Sequence, residues 1–330
     1  MPEPRDAALI LHYPCFDGLV SAAVAWDVLE TERGWSPSRL QFVNYDLQST
    51  WLDTSLPQDS AVVDFLFHPD AAFWADHHGT SFLTDASHLQ FEDLRGTRPL
   101  LYDRNSPSCA MLIWKHYAER SSDQNRYGEM AYWANKIDSA TYDTVDEAVF
   151  GTSPAMQINS TFAIDRSTDY GTFLLQAMRG MTLADIASLP EVGSKVALAR
   201  DQIERGLRDV EHSIHLEHED IAVFAGKPSP GAVINRYSPY YFYPSARYSV
   251  SLIMNDRDAK ITAMRNPWLD FQSVDLGNIF RKHGGGGHTR VASALIDTNP
   301  AVTGPAILHN IVEEICAADR RATNPAIATA

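Results

Sequence analysis

Short apolar runs alternate with amphipathic stretches along the first half of the chain. Residues 7–12 (AALILH) form a continuous apolar run, which is typical of a strand buried on both faces of a parallel sheet. The same alternation predicts further strands at residues 40–45, 61–67 and 72–75, and helices at residues 18–33, 107–119 and 126–136. Strand–helix alternation of this kind predicts an α/β fold with a doubly wound, mostly parallel sheet.

The helix at residues 107–119 has a recognisable start signal. Ser106 is predicted as its N-cap and Pro107 as its first helical residue, because a hydroxyl side chain can accept from the free backbone N–H groups and proline tolerates the first turn.

The pattern changes in the second half of the chain. Residues 190–219 are rich in charge with apolar positions at helical intervals, which predicts a long amphipathic helix joining two domains; an ordinary helix packed inside one domain is the alternative. Predicted strands and helices follow at residues 221–225, 248–254, 261–264, 274–282 and 306–318. We therefore predict a domain over residues 1–180, a helical linker over 181–215, and a smaller α/β domain over 216–330.

Composition and charge narrow the class of protein. Of the 330 residues, 45% are apolar and 21% charged, and the formal net charge is −15. These proportions exclude disordered, collagenous and coiled-coil chains, and the acidity argues against binding of long duplex DNA through a basic surface. A small anionic substrate stays possible where metal ions or a local Arg/His cluster reverse the field.

The cysteines and apolar stretches indicate the compartment. Cys15, Cys109 and Cys316 are three widely spaced residues, which predict neither a disulfide framework nor a zinc knuckle. The apolar stretches fall well short of the ~18 residues of a membrane span, and the first residues do not resemble a secretory signal. We expect a cytoplasmic protein without a membrane partner.

Histidines and aspartates follow several of the predicted strands. They occur in His12-Tyr13-Pro14-Cys15-Phe16-Asp17, at Asp64, and in Asp76-His77-His78, while Asp138 ends a predicted helix. The carboxyl ends of strands in an open α/β sheet converge on one crevice, so these groups can meet. Imidazole and carboxylate ligands suit Mn²⁺, Fe²⁺ or Zn²⁺, and a shared carboxylate can hold two ions.

A run of four glycines marks the second domain. Gly284 to Gly287 lie between a predicted helix and an apolar segment, and His288 follows directly. Four glycines cost chain entropy, so we expect a tight loop in which bare backbone N–H groups, those of Gly285, Gly286 and Gly287 above all, approach an anion. Arg265 ends a predicted strand and is a candidate for binding a phosphate through two parallel hydrogen bonds.

Together, these motifs resemble the DHH/DHHA1 phosphoesterase superfamily over nearly the whole chain. Asp76-His77-His78 is similar to the motif that names the superfamily, and Gly284-Gly285-Gly286-Gly287-His288 is similar to the signature of its C-terminal domain. The resemblance implies a metal-binding DHH domain followed by a substrate-binding DHHA1 domain. It also makes Arg265 and His288 candidate substrate ligands.

The resemblance implies two divalent metal ions, of which Mn²⁺ is usual. One ion would be held by His12, Asp64 and the residue at position 15. The other would be held by four residues, namely Asp17, Asp64, His77 and Asp138. His78 would contact the phosphate or orient a ligand, so that His78, Asp64 and His77 carry the catalysis.

Cys15 departs from the superfamily's usual Asp-x-Asp pattern. It could supply a thiolate ligand, which would favour Zn²⁺ or Fe²⁺. It could instead be a small residue that does not bind the metal, with water or another side chain completing the first site. It could also mark a first site that is weakened or lost.

These observations predict hydrolysis of phosphoester bonds in short oligonucleotides or dinucleotides by a two-metal mechanism, as in a nanoRNase-like exonuclease. Exopolyphosphatase-like or pAp phosphatase activity is a related alternative. A nucleotide-binding protein with a decayed first metal site is an alternative of another class. The expected partners are the phosphoester substrate and, as an open option, a second copy of the chain.

Overall fold

The chain divides into two compact units in a computed structural model, which describes residues 5–255 and 257–323. The first unit comprises Met1–Tyr142 and Thr152–Ala199, and the second comprises Asp143–Gly151 and Arg200–Ala330. Among the described residues, no helix combines the length and the apolar character needed to cross a bilayer.

The first unit contains a five-stranded sheet in which every pairing is parallel. The strand order is β2-β1-β3-β4-β5, with strands β1 (Arg5–His12), β2 (Trp35–Val43), β3 (Ser60–Val63), β4 (Phe73–Asp76) and β5 (Leu100–Tyr102). The α-helices of the described residues, in order, are α1 (Phe16–Arg33), α2 (Asp85–Leu94), α3 (Cys109–Tyr117), α4 (Gln124–Asp138), α5 (Val145–Phe150), α6 (Pro154–Ser160), α7 (Thr168–Gly180), α8 (Leu183–Ala187), α9 (Pro190–Glu211), α10 (Ser238–Phe242), α11 (Leu276–Arg281) and α12 (Pro300–Thr323).

Apolar cores cover both faces of this sheet. Leu9 and Leu11 of β1 join one core with helices α1, α3, α4 and α7. Ile10 lies between them in sequence and joins the opposite core with Trp51 and Trp74. Because successive strand residues point to opposite faces, a strand covered on both sides needs the continuous apolar run that β1 has.

The second unit contains a mixed sheet with a different arrangement. The remaining strands are β6 (His215–Glu217), β7 (Ile221–Gly226), β8 (Tyr248–Met254), β9 (Ala259–Arg265), β10 (Gly286–Gly287) and β11 (Val291–Ile296), in the order β10-β11-β9-β8-β7-β6. Only β7 and β8 pair in parallel among these described strands. Helices α11 and α12 pack on one face, where they form a core with the apolar side chains of β8, β9 and β11.

Several element boundaries differ from those predicted. The strand predicted at residues 61–67 ends at Val63 because Asp64 adopts a left-handed backbone conformation (φ 57°). The N-cap of α3 is Ser108 instead of the predicted Ser106. The Ser108 side chain accepts a hydrogen bond from the backbone N–H of Met111. The helix predicted over residues 190–219 ends at Glu211.

Other elements were not predicted. Helices α2, α5, α6, α7 and α8 and strand β5 belong to this group. Strand β2 occupies Trp35–Val43 instead of residues 40–45. The fold class is nevertheless the predicted one, an α/β protein with a parallel sheet in the first unit and a smaller α/β second unit.

Candidate active site

The ends of three adjacent strands define the candidate site in the first unit. His12 is the last residue of β1, Asp64 directly follows β3, and Asp76 is the last residue of β4. Strand β1 lies between β2 and β3, so the chain reverses its direction of winding beside β1. Such a switch point opens a crevice at the carboxyl edge of a parallel sheet.

The first turn of α1 is pressed against this edge. Cys15 caps the helix, with its Sγ accepting from the backbone N–H of Gly18 at 3.5 Å. A Cβ atom on Gly18 would collide with the carbonyl oxygen of His12 and lie 3.3 Å from Asp64 Oδ2. Glycine at this position therefore allows α1 to start close enough to bring Cys15 to Asp64.

A helix that begins far along the chain fixes the Asp17 carboxylate. The Asp17 Oδ2 atom accepts from the backbone N–H of Cys109 at 2.7 Å, and Oδ1 accepts from that of Ala110 at 2.9 Å. Both donors lie in the first turn of α3, where free N–H groups and the helix dipole favour negative charge. Asp17 is 1% exposed, so α3 both orients and stabilises it.

The two oxygens of Asp64 face two separate groups of side chains. Oδ2 lies 3.4 Å from His12 Nδ1 and 3.7 Å from Cys15 Sγ. Oδ1 lies 3.8 Å from His77 Nε2 and 3.9 Å from His78 Nδ1. The left-handed backbone at Asp64 is uncommon for a residue with a Cβ and costs conformational energy, as is found at many functional sites. A carboxylate in this position can bridge two groups.

His77 directs one ring nitrogen toward three carboxylates. Its Nε2 lies 3.4 Å from Asp138 Oδ2 and 3.8 Å from Asp17 Oδ2, besides Asp64. Its Nδ1 lies 3.0 Å from the carbonyl oxygen of Ser106. A carbonyl only accepts, so Nδ1 donates to it and Nε2 is the nitrogen that faces the carboxylates, the orientation found in metal-binding histidines.

Two buried atoms in this cluster have no hydrogen-bond partner among the described residues. They are Asp64 Oδ1 and His77 Nε2, and both are acceptors. A buried acceptor without a donor is costly, and a cation would satisfy both atoms. Two atoms that bind one ion at ~2.1 Å lie roughly 3.0–3.4 Å apart, close to the separations seen here.

Burial raises the pKa of the carboxylates in the cluster. Burial, and then the neighbouring Asp17, raises the pKa of Asp138 to about 6. The pKa of Asp64 lies well above its ordinary value for the same two reasons, and burial also raises that of Asp17. The Cys15 thiol has a raised pKa through burial and the charges of Asp64 and Asp17. A divalent cation would reverse these penalties because it stabilises the deprotonated forms.

Asp76 positions His78, although one of its oxygens also lies within 4.8 Å of ligand atoms of Asp64, His77 and His78. Asp76 Oδ1 accepts from His78 Nδ1 at 2.8 Å, and Asp76 Oδ2 accepts from Ser81 Oγ at 2.5 Å. Burial works to lower the pKa of His78, but the hydrogen bond and charge of Asp76 outweigh it, so the pKa is raised. The His78 side chain is 31% exposed, which leaves its other ring nitrogen available to a ligand.

Tyr45 is a neighbour of this cluster that the sequence analysis did not identify. Its ring centroid lies 5.2 Å from that of His12 and 6.2 Å from that of His78. The Tyr45 hydroxyl is buried without a hydrogen-bond partner among the described residues. Its position two residues after the end of β2 was the available signal, since polar groups at that edge of the sheet face the crevice.

The glycine run of the second unit is part of a sheet. Gly286 and Gly287 form β10 and pair with Ser293 and Ala292 of β11. With Ser293 and His288, Gly286 lines a cavity of about 410 Å³ on the sheet face opposite the apolar core. Other residues that line it include Arg236, Ser251, Lys260 and Thr262. The cavity therefore presents hydroxyl and cationic groups in an otherwise acidic chain.

The guanidinium of Arg265 is engaged within its own loop. Its Nη1 donates to the carbonyl of Asn266, and its Nη2 donates to those of Leu269 and Phe271. The residue is 8% exposed and stacks on the Phe271 ring at 4.3 Å. These contacts make Arg265 an anchor of the loop after β9, and its predicted role as a phosphate ligand stays a prediction.

No protein-family model and no curated protein sequence matches the chain. Solved structures do match. A pGpG-specific phosphodiesterase, PggH from Vibrio cholerae, superposes with a TM-score of 0.71 at 18% identity, covering 93% of this chain and 99% of that one. RecJ from Thermus thermophilus in complex with Mn²⁺ gives 0.53 at 13% identity, covering 95% of this chain and 52% of RecJ.

The complex of the same RecJ with Mg²⁺ gives a TM-score of 0.52 at 15% identity, covering 95% of this chain and 50% of RecJ. This chain thus spans about half the length of RecJ and nearly all of the phosphodiesterase. At these identities the likeness establishes the fold, which is the one that the Asp-His-His and glycine motifs led us to expect.

Proposed function

We propose that the protein is a metal-dependent phosphoesterase of the DHH type, in which Asp64 bridges two divalent cations. One observation carries this proposal: the two oxygens of Asp64 face separate groups of donor atoms, at 3.4–3.9 Å, in a buried cluster that holds an excess of acceptors. The likeness in fold to a phosphodiesterase and to metal complexes of RecJ supports it.

The side chains fall into two ligand groups in this proposal. The first contains His12, Cys15 and one oxygen of Asp64, and the second contains Asp17, His77, Asp138 and the other oxygen of Asp64. Ions held in this way activate a water molecule and neutralise charge on a phosphoryl group. Oxygen and imidazole ligands suit Mn²⁺, while a Cys15 thiolate would shift the first group toward Zn²⁺ or Fe²⁺.

His78 and Tyr45 supply hydrogen-bond donors beside the ligand groups. His78 is held by Asp76, whose hydrogen bond and charge raise the pKa of the ring. With Nδ1 held by Asp76, its Nε2 is the nitrogen that would contact a phosphoryl oxygen. The Tyr45 hydroxyl lacks a partner among the described residues and lies beside both His12 and His78, so it would donate to the same anion. Fixed donors aimed at developing charge lower the barrier of such reactions.

We assign the substrate to short oligonucleotides or dinucleotides. The cavity of the second unit, about 410 Å³ in volume, has the size of a site for a small ligand. Arg236, Lys260 and His288 offer cationic or donor groups to a phosphate there, and the free face of Gly286 leaves space next to the backbone. A solved structure with the same fold belongs to a phosphodiesterase specific for the dinucleotide pGpG, which supports a dinucleotide as the substrate of this protein.

The test is hydrolysis of defined substrates by metal-loaded protein. With Mn²⁺, we expect mononucleotides to be released from pGpG or pApA, faster than phosphate is released from pAp or tripolyphosphate. Asp64→Asn should abolish turnover, whereas Asp93→Asn, at an exposed position on α2, should not. If tripolyphosphate or pAp is hydrolysed faster than the dinucleotides, the assignment of a dinucleotide substrate is wrong. Equal activity of Asp64→Asn and wild type would end the phosphoesterase proposal.

A further inference from the structure

A second cluster of histidines and glutamates lies in the other unit, on the surface between β6 and α12. One ligand atom from each of Glu217, His309 and Glu313 lies within 4.8 Å of the other two. His218, in the turn after β6, lies with its Nε2 2.7 Å from Glu313 Oε1. The cluster therefore contains one imidazole and two carboxylates from β6 and α12, with a second imidazole bonded to one of the carboxylates.

The fold holds the two sides of this cluster in place. His309 and Glu313 are four residues apart on α12, so they project from the same face of the helix. The opposite face of α12 carries Leu308, Ile311 and Ile315 into the core of the unit. Strand β6 is an edge strand fixed by its antiparallel pairing with β7. Glu217, His309 and Glu313 are thus presented by a paired strand and by a helix whose opposite face packs on the core.

We propose that Glu217, His309 and Glu313 form a binding site for Zn²⁺ that is separate from the candidate active site. One imidazole nitrogen and two carboxylate oxygens are ligand types that Zn²⁺ prefers, with a fourth position left for water, and His218 orients Glu313 from outside the ligand set. Exposed ion pairs between His and Glu contribute little to protein stability. Ion pairing by itself therefore does not explain why these His and Glu side chains lie together. An ion here would link the edge strand β6 to the C-terminal helix.

Neighbouring charges are compatible with this site. His215 Nε2 lies 3.2 Å from Glu217 Oε1 and would have to turn aside or donate to the oxygen that is not bound to the ion. The side chains of Glu313 and His218 are 48% and 27% exposed, so an ion can enter from solvent.

The test measures Zn²⁺ bound by chelator-treated, full-length protein. In an Asp64→Asn background, which removes the bridge of the active site, we expect one Zn²⁺ per chain to bind at this cluster. Adding His309→Ala should weaken Zn²⁺ binding by more than about tenfold. Even the loss of a residue that only hydrogen-bonds to a metal ligand lowers metal affinity by about 10–100-fold. His116→Ala, an exposed histidine on α3 in the other unit, should leave Zn²⁺ binding unchanged.

Two further measurements separate this site from the active site. Co²⁺ in place of Zn²⁺ should give the visible absorption of a tetrahedral complex, which His309→Ala and Glu313→Gln should each remove. Phosphoester hydrolysis by His309→Ala should equal that of wild type. Unchanged Zn²⁺ affinity in His309→Ala, or no Zn²⁺ bound by Asp64→Asn protein, would overturn the proposal whatever the outcome for hydrolysis.

Discussion

The four consecutive glycines are identical in sequence, but the structure predicts different results when they are replaced. A Cβ on Gly285 would run into the carbonyl oxygen of Ser293 and lie 2.7 Å from the Cβ of Ala294. A Cβ on Gly286 would meet no atom within 4 Å. The alternation of a strand explains the contrast, because Gly286 shares the open face of the sheet with Ser293 and its neighbours point toward the apolar core.

The expected size of the effect follows from this geometry. The clash of Gly285→Ala involves backbone that cannot move aside cheaply, and overpacking of this kind costs about 1–3 kcal/mol. For a unit of this size, that corresponds to a fall in the unfolding midpoint of roughly 3–10 °C. Gly286→Ala should leave the midpoint unchanged or raise stability by up to about 1 kcal/mol, because alanine restricts the unfolded chain.

Thermal unfolding by calorimetry, with the two variants and wild type compared in one buffer, measures this difference. The same proteins should be assayed with a dinucleotide. Because Gly286 lines the 410 Å³ cavity, Gly286→Ala should raise the KM while leaving the fold intact. Equal destabilisation by both substitutions would contradict the assignment of faces. Unchanged KM in Gly286→Ala would contradict the placement of substrate in the cavity.

Three further substitutions test the cluster in the first unit. Tyr45→Phe should lower kcat by about 100–1,000-fold without lowering the unfolding midpoint, because the hydroxyl that it removes has no described hydrogen-bond partner; an unchanged kcat would exclude Tyr45 from the reaction. Asp138 has its pKa raised to about 6, so chelator-treated wild type should lose stability as the pH rises from 4 through 6, as the folded state binds this proton more tightly. Asp138→Asn should show a shallower loss in melts at several pH values, and an equally steep one would refute this origin. Cys15→Asp should lower the preference for Zn²⁺ over Mn²⁺ in competitive binding, whereas an unchanged ratio would show that the sulfur is not a ligand.

Much of the candidate site could be predicted from the sequence because its chemistry lies at the ends of recognisable strands. The apolar runs that become β1, β3 and β4 are followed by His12, Asp64 and Asp76-His77-His78. In a parallel sheet such positions share one edge whatever the details of packing. Local pattern and the rules of sheet topology were therefore sufficient to expect these side chains together.

Sequence alone could not assign the contacts that give each residue its role. Asp17 is oriented by N–H groups 92 and 93 residues further along the chain, and His77 by the carbonyl of Ser106. Arg265 is occupied by three carbonyl groups of its own loop, although its place in the sequence suggested a phosphate ligand. Hydrophobic periodicity reports which side of an element is buried, whereas the partner of a polar group depends on how distant segments pack, and only the folded chain determines that.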